Sequence, residues 1–169
     1  MVLSLKPQRG GFLRPFGCAW FIREFLAGNG PYGAPMIDPA IGAPQAEIFY
    51  HYKQALRQQT ALDRATAVEE KRAKKENRRI DPANIEELTQ RLLKQLPYKA
   101  TSCRYHSFIT YFSNLQRLGW VEATGREERS EFQDNHPKGQ PRKYFRLTSA
   151  GLAAPDSAWA NPQRALYGP

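Results

Sequence analysis

The chain has 169 residues, 41% of them hydrophobic, which is enough for one compact domain with helical extensions and argues against wholesale disorder. It carries 25 Lys and Arg against 16 Asp and Glu, a net charge of +9. This excess favours a polyanionic partner, because neutralised phosphates release condensed counterions. No stretch approaches the roughly 18 apolar residues that a membrane-spanning helix needs, so we expect no membrane partner.

Cysteine and histidine usage predicts neither a disulfide framework nor a metal site. Cys18 and Cys103 lie far apart in sequence, no C-x-x-C pair is present, and the three histidines lack ligand spacing. We therefore expect reduced thiols, no metal, no cofactor and a cytoplasmic protein that associates with the nucleoid through its nucleic-acid partner.

The first half of the chain predicts two helices separated by a long loop. A short helix over 18–26 is followed by a Gly/Pro-rich segment, 28–44, and then by an uninterrupted helix over 45–77. Six apolar residues recur there at helical spacing: Ile48, Phe49, Tyr52, Leu56, Leu62 and Val68. Such a helix would be about 50 Å long. Either part of it projects, or it pairs with a second copy in a homodimer. Its basic end, 71–79, is either a solvated face or a phosphate-contacting patch.

The second half predicts two further helices and a hairpin. Asp81 and Pro82 begin a helix that Pro97 ends, with apolar residues on one side at Ile85, Leu88, Leu92 and Leu96. The next helix ends at Leu118, before Gly119. Its apolar stripe, expected to pack against the preceding helix, is Tyr105, Phe108, Ile109, Phe112 and Leu115. Strands over 120–124 and 142–148 then flank a polar loop.

These elements predict a mainly α protein with a small β-hairpin, namely a winged helix-turn-helix plus an N-terminal helical extension. We expect an N-terminal arm and long helix over 1–80, the winged helix-turn-helix domain over 81–152, and a C-terminal tail over 153–169. Trp159, Leu166 and Tyr167 are candidates to fasten this tail onto the domain.

The second helix of the pair holds the position of a recognition helix, and its polar face lacks carboxylates, which phosphates would repel. Its candidate DNA-binding residues are Arg104, His106, Ser107, Thr110, Tyr111, Asn114 and Arg117. In the hairpin, or wing, the candidates are Lys138, Gln140, Arg142 and Lys143. Acidic residues lie on the outgoing strand and in the loop, so we expect the tip and the return strand to approach DNA.

Two strings in this region carry a family resemblance. Residues 115–122 read LQRLGWVE and residues 138–151 read KGQPRKYFRLTSAG. Together they resemble the winged-helix core of the PadR and MarR transcriptional regulators. The resemblance covers the last third to half of the chain. It implies that Ser107, Thr110, Tyr111 and Asn114 face bases, and that Lys138, Arg142 and Lys143 lie in the wing. PadR-like proteins usually follow the wing with a dimerising helix, which this sequence does not show.

Three functions compete. The first is a non-enzymatic, DNA-binding transcriptional regulator or nucleoprotein component. The second is a winged-helix adaptor in a larger assembly, since a fold does not determine a function. The third is an enzyme, which the sequence disfavours because no phosphate-binding glycine loop or hydrolase motif occurs and Cys103 and His106 lack an orienting acid.

Overall fold

The computed structural model describes residues 17–97, 104–128 and 141–168. Its elements in chain order are α1 (Cys18–Leu26), a 3-10 turn (Pro31–Gly33), β1 (Ala43–Pro44), α2 (Gln45–Lys75), α3 (Pro82–Gln95), α4 (Tyr105–Arg117), β2 (Val121–Glu128), β3 (Arg142–Leu147), α5 (Ser149–Ala153), α6 (Asp156–Ala160) and α7 (Pro162–Tyr167). The protein is mainly helical with a small antiparallel sheet, which confirms the predicted composition of elements.

The sheet has three strands in the order β1–β3–β2, all antiparallel. The ribbon of β2 and β3 was expected, whereas β1 was not, because it lies within the Gly/Pro-rich segment. Ala43 pairs with Phe145 and Pro44 with Tyr144. Proline is tolerated here because β1 is an edge strand. The loop that joins β2 to β3 falls largely outside the described residues.

The core lies between α1, the first half of α2, α4 and the sheet. Phe108, Phe112 and Leu115 of α4 are buried in it, and the Phe112 ring meets the Phe145 ring of β3 at 5.0 Å between centroids. This corrects the expected pairing of α4 with the helix before it, because α4 packs against α1 and α2, and no residue of α3 belongs to this core.

The helix α3 instead folds back along the second half of α2. The residues that α2 buries there are Ala61, Ala65, Glu69 and Ala73. Three of these four positions are alanines, whose small side chains let the two helix backbones approach closely. Leu62 and Val68, which were predicted to lie on the apolar stripe, are 40% and 38% exposed. We name this pair of helix segments, residues 61–96, the helical arm.

The base of the helical arm is closed by Arg57 of α2. Its guanidinium donates hydrogen bonds to the carbonyl oxygens of Leu96 and Leu93, at 2.9 and 3.0 Å. These are carbonyls at the end of α3 that have no partner within the helix. At the other end of α3, the Asp81 side chain accepts a hydrogen bond from the backbone N–H of Ala83, which confirms the predicted cap.

The C-terminal segment folds onto the domain as three short helices. Trp159 of α6 is completely buried, its ring centroid lies 4.7 Å from that of Trp120 with the rings tilted by 35°, and its Nε1 donates to the Gly151 carbonyl at 2.9 Å. Arg23 of α1 reaches α6 from the other side, where it forms an ion pair with Asp156 at 2.8 Å. The core therefore combines residues from all three of the segments into which the sequence was divided.

Candidate nucleic-acid interface

The helix α4 is held at its C-terminal end by backbone geometry. Gly119 has φ 74°, and its N–H donates to the Gln116 carbonyl, while the Trp120 N–H donates to the Leu115 carbonyl. These two bonds form a Schellman motif, in which the residue with positive φ is usually glycine. The motif turns the chain directly from α4 into β2, so the ribbon is fixed next to the helix.

The outer face of α4 carries polar side chains and no carboxylate. The exposed residues on the side opposite Phe108 and Phe112 are His106, Thr110, Ser113 and Arg117. The Thr110 hydroxyl donates to the His106 carbonyl at 3.2 Å, which leaves its oxygen lone pairs facing outward. Hydroxyl, imidazole and guanidinium groups are suited to base edges and phosphate oxygens.

The remaining candidates on α4 lie around this face. Arg104 is exposed at the N-cap position, Tyr111 is exposed at one margin, and Ser107 and Asn114 are half-buried. Exposure of His106 and Thr110 agrees with the sequence prediction that these side chains are not part of the core.

Two residues of α4, Ile109 and Ser113, differ from the sequence prediction. Ile109 was assigned to the buried stripe, yet it is 37% exposed. It lies about 100° around the helix from Phe108, so the core reaches only its edge. Ser113 was not among the candidates, although it is exposed between Thr110 and Arg117. Its spacing of three residues from Thr110 was the signal that could have identified it.

Arg117 is engaged by the C-terminal segment. Its Nη1 donates to the Tyr167 hydroxyl at 2.9 Å, and its guanidinium lies over the Tyr167 ring at 5.6 Å from the centroid. Both side chains remain exposed. The contact orients Arg117 along the end of α4 without neutralising its charge, because the phenol is uncharged.

In the β2–β3 ribbon, Lys143 is exposed and Arg142 is half-buried. The Arg142 guanidinium lies 3.9 Å from the Glu47 carboxylate of α2, so part of its charge is compensated within the protein. Lys143 forms no ion pair with another described residue, although its register partner is Glu127. Lys138 and Gln140 lie outside the described residues.

The carboxylates of β2 are mostly occupied by neighbours on the ribbon. Glu122 pairs with Arg146 at 3.0 Å, and Glu128 accepts a hydrogen bond from the Tyr144 hydroxyl. That bond and the adjacent negative charge raise the pKa of Tyr144, so its hydroxyl stays protonated as a donor. Arg146 therefore compensates the charge of one of the three β2 glutamates, which reduces the strand's repulsion of phosphates.

The described ranges contain no group of three or more His, Cys, Asp and Glu side chains placed to hold a metal ion. Within the same ranges, no helix is both long and apolar enough to cross a bilayer. No protein-family model, curated protein or solved structure matches this chain.

Proposed function

We propose that this protein binds double-stranded DNA as a winged helix, with α4 in the major groove and the β2–β3 ribbon against the phosphates, and that it serves as a transcriptional regulator or nucleoprotein component. The observation that carries the proposal is the exposed, carboxylate-free face of α4 formed by His106, Thr110, Ser113 and Arg117. A face of this kind is compatible with both base edges and backbone oxygens.

The topology supports this reading with one change in the helix pair. The partner of α4 is the first half of α2, since Phe49 and Tyr52 contact Phe108 with ring centroids 5.2 and 6.4 Å apart. In this reading the helical arm is an insertion between the two helices of the pair, in the place where a helix-turn-helix has a short turn. The short strand β1 pairs with β3 and anchors the ribbon to the start of α2.

The charge distribution also favours a nucleic-acid partner. The net charge of +9 belongs to the whole sequence, and cations stand on both parts of the proposed interface, at Arg104 and Arg117 of α4 and at Lys143 of the ribbon. Phosphate contacts by such side chains supply affinity, while α4 supplies any sequence preference.

Fluorescence anisotropy with a random labelled duplex, at low and at high salt, tests the proposal. The wild-type protein is expected to bind at low salt and to release the duplex as salt rises. The double variant Thr110→Glu/Ser113→Glu places two carboxylates on the outer face of α4 and is expected to weaken binding by at least about tenfold.

The matched control is Ser157→Glu/Gln163→Glu, which adds the same charge at exposed positions of α6 and α7. Its affinity is expected to stay close to that of the wild type. Absence of wild-type binding at low salt would refute the DNA-binding proposal, and equal losses in the two double variants would refute the assignment to α4. Selection from a random duplex library then reports whether α4 reads sequence.

A further inference from the structure

The tip of the helical arm is a second cationic surface, remote from α4. Five basic side chains are exposed there: Lys71, Arg72, Lys74, Lys75 and Arg79. None of the five forms an ion pair with any residue in the part of the chain that the structure describes. We call these five residues the basic tip.

Three carboxylates near the basic tip form bonds within the helical arm. Glu69 is fully buried and binds Arg78, Glu76 pairs with Arg78 at 2.6 Å, and Asp81 caps α3. Glu70 of α2 and Glu86 of α3 are the described carboxylates at this end of the arm that remain exposed without a bond of this kind. The fold therefore buries one of the three bonded carboxylates and holds the other two within the arm, while the five cations stay exposed, although the segment's formal charge is mixed.

The geometry of the arm separates these cations from α4. With a rise of about 1.5 Å per residue, the part of α2 from Tyr52, which contacts α4, to Lys75 is about 35 Å long. Around the helix axis, Lys71 and Lys75 stand one turn apart on the side opposite the buried Glu69 and Ala73. The helix α3 therefore does not cover them.

The arm holds this position through specific bonds and not through a flexible loop. The end of α2 is a Schellman motif in which Asn77 has φ 54° and the Arg78 N–H donates to the Ala73 carbonyl. The Arg78 side chain then bonds to the buried Glu69, which also accepts from the Asp81 N–H. A turn built in this way fixes the path of the backbone between α2 and α3, where Arg79 lies.

We infer that the basic tip is a second DNA contact, which binds phosphates of the same duplex outside the site occupied by α4 and the ribbon. This inference rests on the proposed function. The occupant is the phosphate backbone because ammonium and guanidinium groups that form no ion pair with the described residues recognise charge and carry no sequence information. The contact would enlarge the footprint of the protein on DNA without changing its sequence preference.

The test is the double variant Lys71→Gln/Lys75→Gln, since glutamine keeps helix propensity and removes charge. On a random 30-base-pair duplex we expect binding about tenfold weaker at low salt, and a plot of log affinity against log salt less steep by about 1.8, at about 0.9 for each lost phosphate contact. The control Arg91→Gln/Lys94→Gln removes two exposed charges from α3 of the same arm and is expected to bind like the wild type. Circular dichroism establishes that both variants keep their helices.

The outcomes separate this inference from the proposed function. If the wild type does not bind duplex at low salt, the proposed function fails. If the wild type binds and the Lys71→Gln/Lys75→Gln variant keeps the same affinity and salt dependence, only the second contact is refuted. An equal loss in the α3 control variant would also refute it, because the effect would then reflect general charge and not the basic tip.

Discussion

Glu69 and Arg78 form the central ion pair of the helical arm. The Arg78 Nη2 lies 2.7 Å from Glu69 Oε1, and the same carboxylate accepts a hydrogen bond from Asn84 Nδ2 at 3.1 Å. Glu69 is inaccessible to solvent, yet every one of its bonds comes from a group that favours the ionised form. One buried carboxylate thus joins the end of α2, the turn and the start of α3.

The stability of the arm is expected to depend on acid pH through Glu69. Hydrogen bonds from Arg78 are the main cause that lowers the pKa of Glu69 from 4.5 to about 2. Because the pKa is lower in the folded state, the stabilisation is complete above about pH 4.5 and disappears as pH falls toward about 2. Denaturant unfolding of the wild type and of Glu69→Gln between pH 2 and 7 measures it. The variant should be less stable at pH 7, with a difference that shrinks on acidification.

The control for this experiment is Glu87→Gln. Glu87 forms an exposed ion pair with Arg91 on α3, at 3.1 Å, so its neutralisation should change stability little at any pH. If Glu69→Gln and Glu87→Gln show the same pH profile, the buried carboxylate is not the group responsible.

Two glycines with positive φ allow a matched test of the edge strand. Gly42 has φ 75° and Gly119 has φ 74°, so alanine is strained by about 1 kcal/mol at either position. A Cβ at Gly42 would collide with the Phe145 carbonyl oxygen, whereas a Cβ at Gly119 would meet no atom within 4 Å. We expect Gly42→Ala to cost at least about 2 kcal/mol more than Gly119→Ala in urea unfolding.

Hydrogen exchange adds a local readout to this comparison. In Gly42→Ala the amides of β3 that face β1 should exchange faster, because the two strands can no longer approach. Equal stability of the two variants would mean that β1 does not pack against β3 as described.

Individual elements were predictable because their signals are local. The limits of α1, the start of α2 at Gln45 and the turn at Gly119 follow from apolar periodicity, proline and glycine placement. The end of α2 lies within two residues of the prediction, whereas β2 continues to Glu128, four residues beyond the predicted strand over 120–124. The exposed polar face of α4 followed from the same periodicity.

The packing of the helices was not predictable from those signals. Alanine is weakly apolar, so the buried Ala61 and Ala65 gave no visible stripe, while the exposed Leu62 and Val68 did. A buried glutamate is rare and depends on partners that lie up to fifteen residues away, such as Asn84. The helix that packs against α4 is determined by how the arm folds. Because α3 folds back along α2, the prediction that α4 packs against α3 was wrong.

The C-terminal helices are expected to be part of the stable domain. Trp159→Ala removes a fully buried indole and should cost about 3–5 kcal/mol. Trp159→Phe keeps most of the apolar contact but leaves the Gly151 carbonyl without its donor, for a cost of about 1–3 kcal/mol. Leu152→Ala on neighbouring α5 is the control, since Leu152 is exposed and its loss should stay within about 0.5 kcal/mol. Chemical denaturation that ranks all three variants equally would contradict the described docking.

The ribbon offers a direct test of which cation reaches DNA. Lys143 is exposed and forms no ion pair with the described part of the chain, whereas Arg146, on the same strand, pairs with Glu122 at 3.0 Å. We expect Lys143→Ala to weaken binding to every duplex alike and to reduce the steepness of the salt dependence by about 0.9, the value for one phosphate contact. Arg146→Ala removes the same charge but leaves the Glu122 carboxylate without its partner. The freed carboxylate repels phosphates only if the ribbon lies close to DNA.

Anisotropy titrations at four or more salt concentrations therefore distinguish two geometries of the ribbon. A reduced slope in Lys143→Ala with an unchanged slope in Arg146→Ala means that the Lys143 side chain meets phosphate and that Arg146 stays with Glu122. Unchanged slopes of log affinity against log salt in both variants would exclude β3 from the interface. Loss of a cation that contacts phosphate reduces the number of counterions released on binding, and the slope would then become less steep.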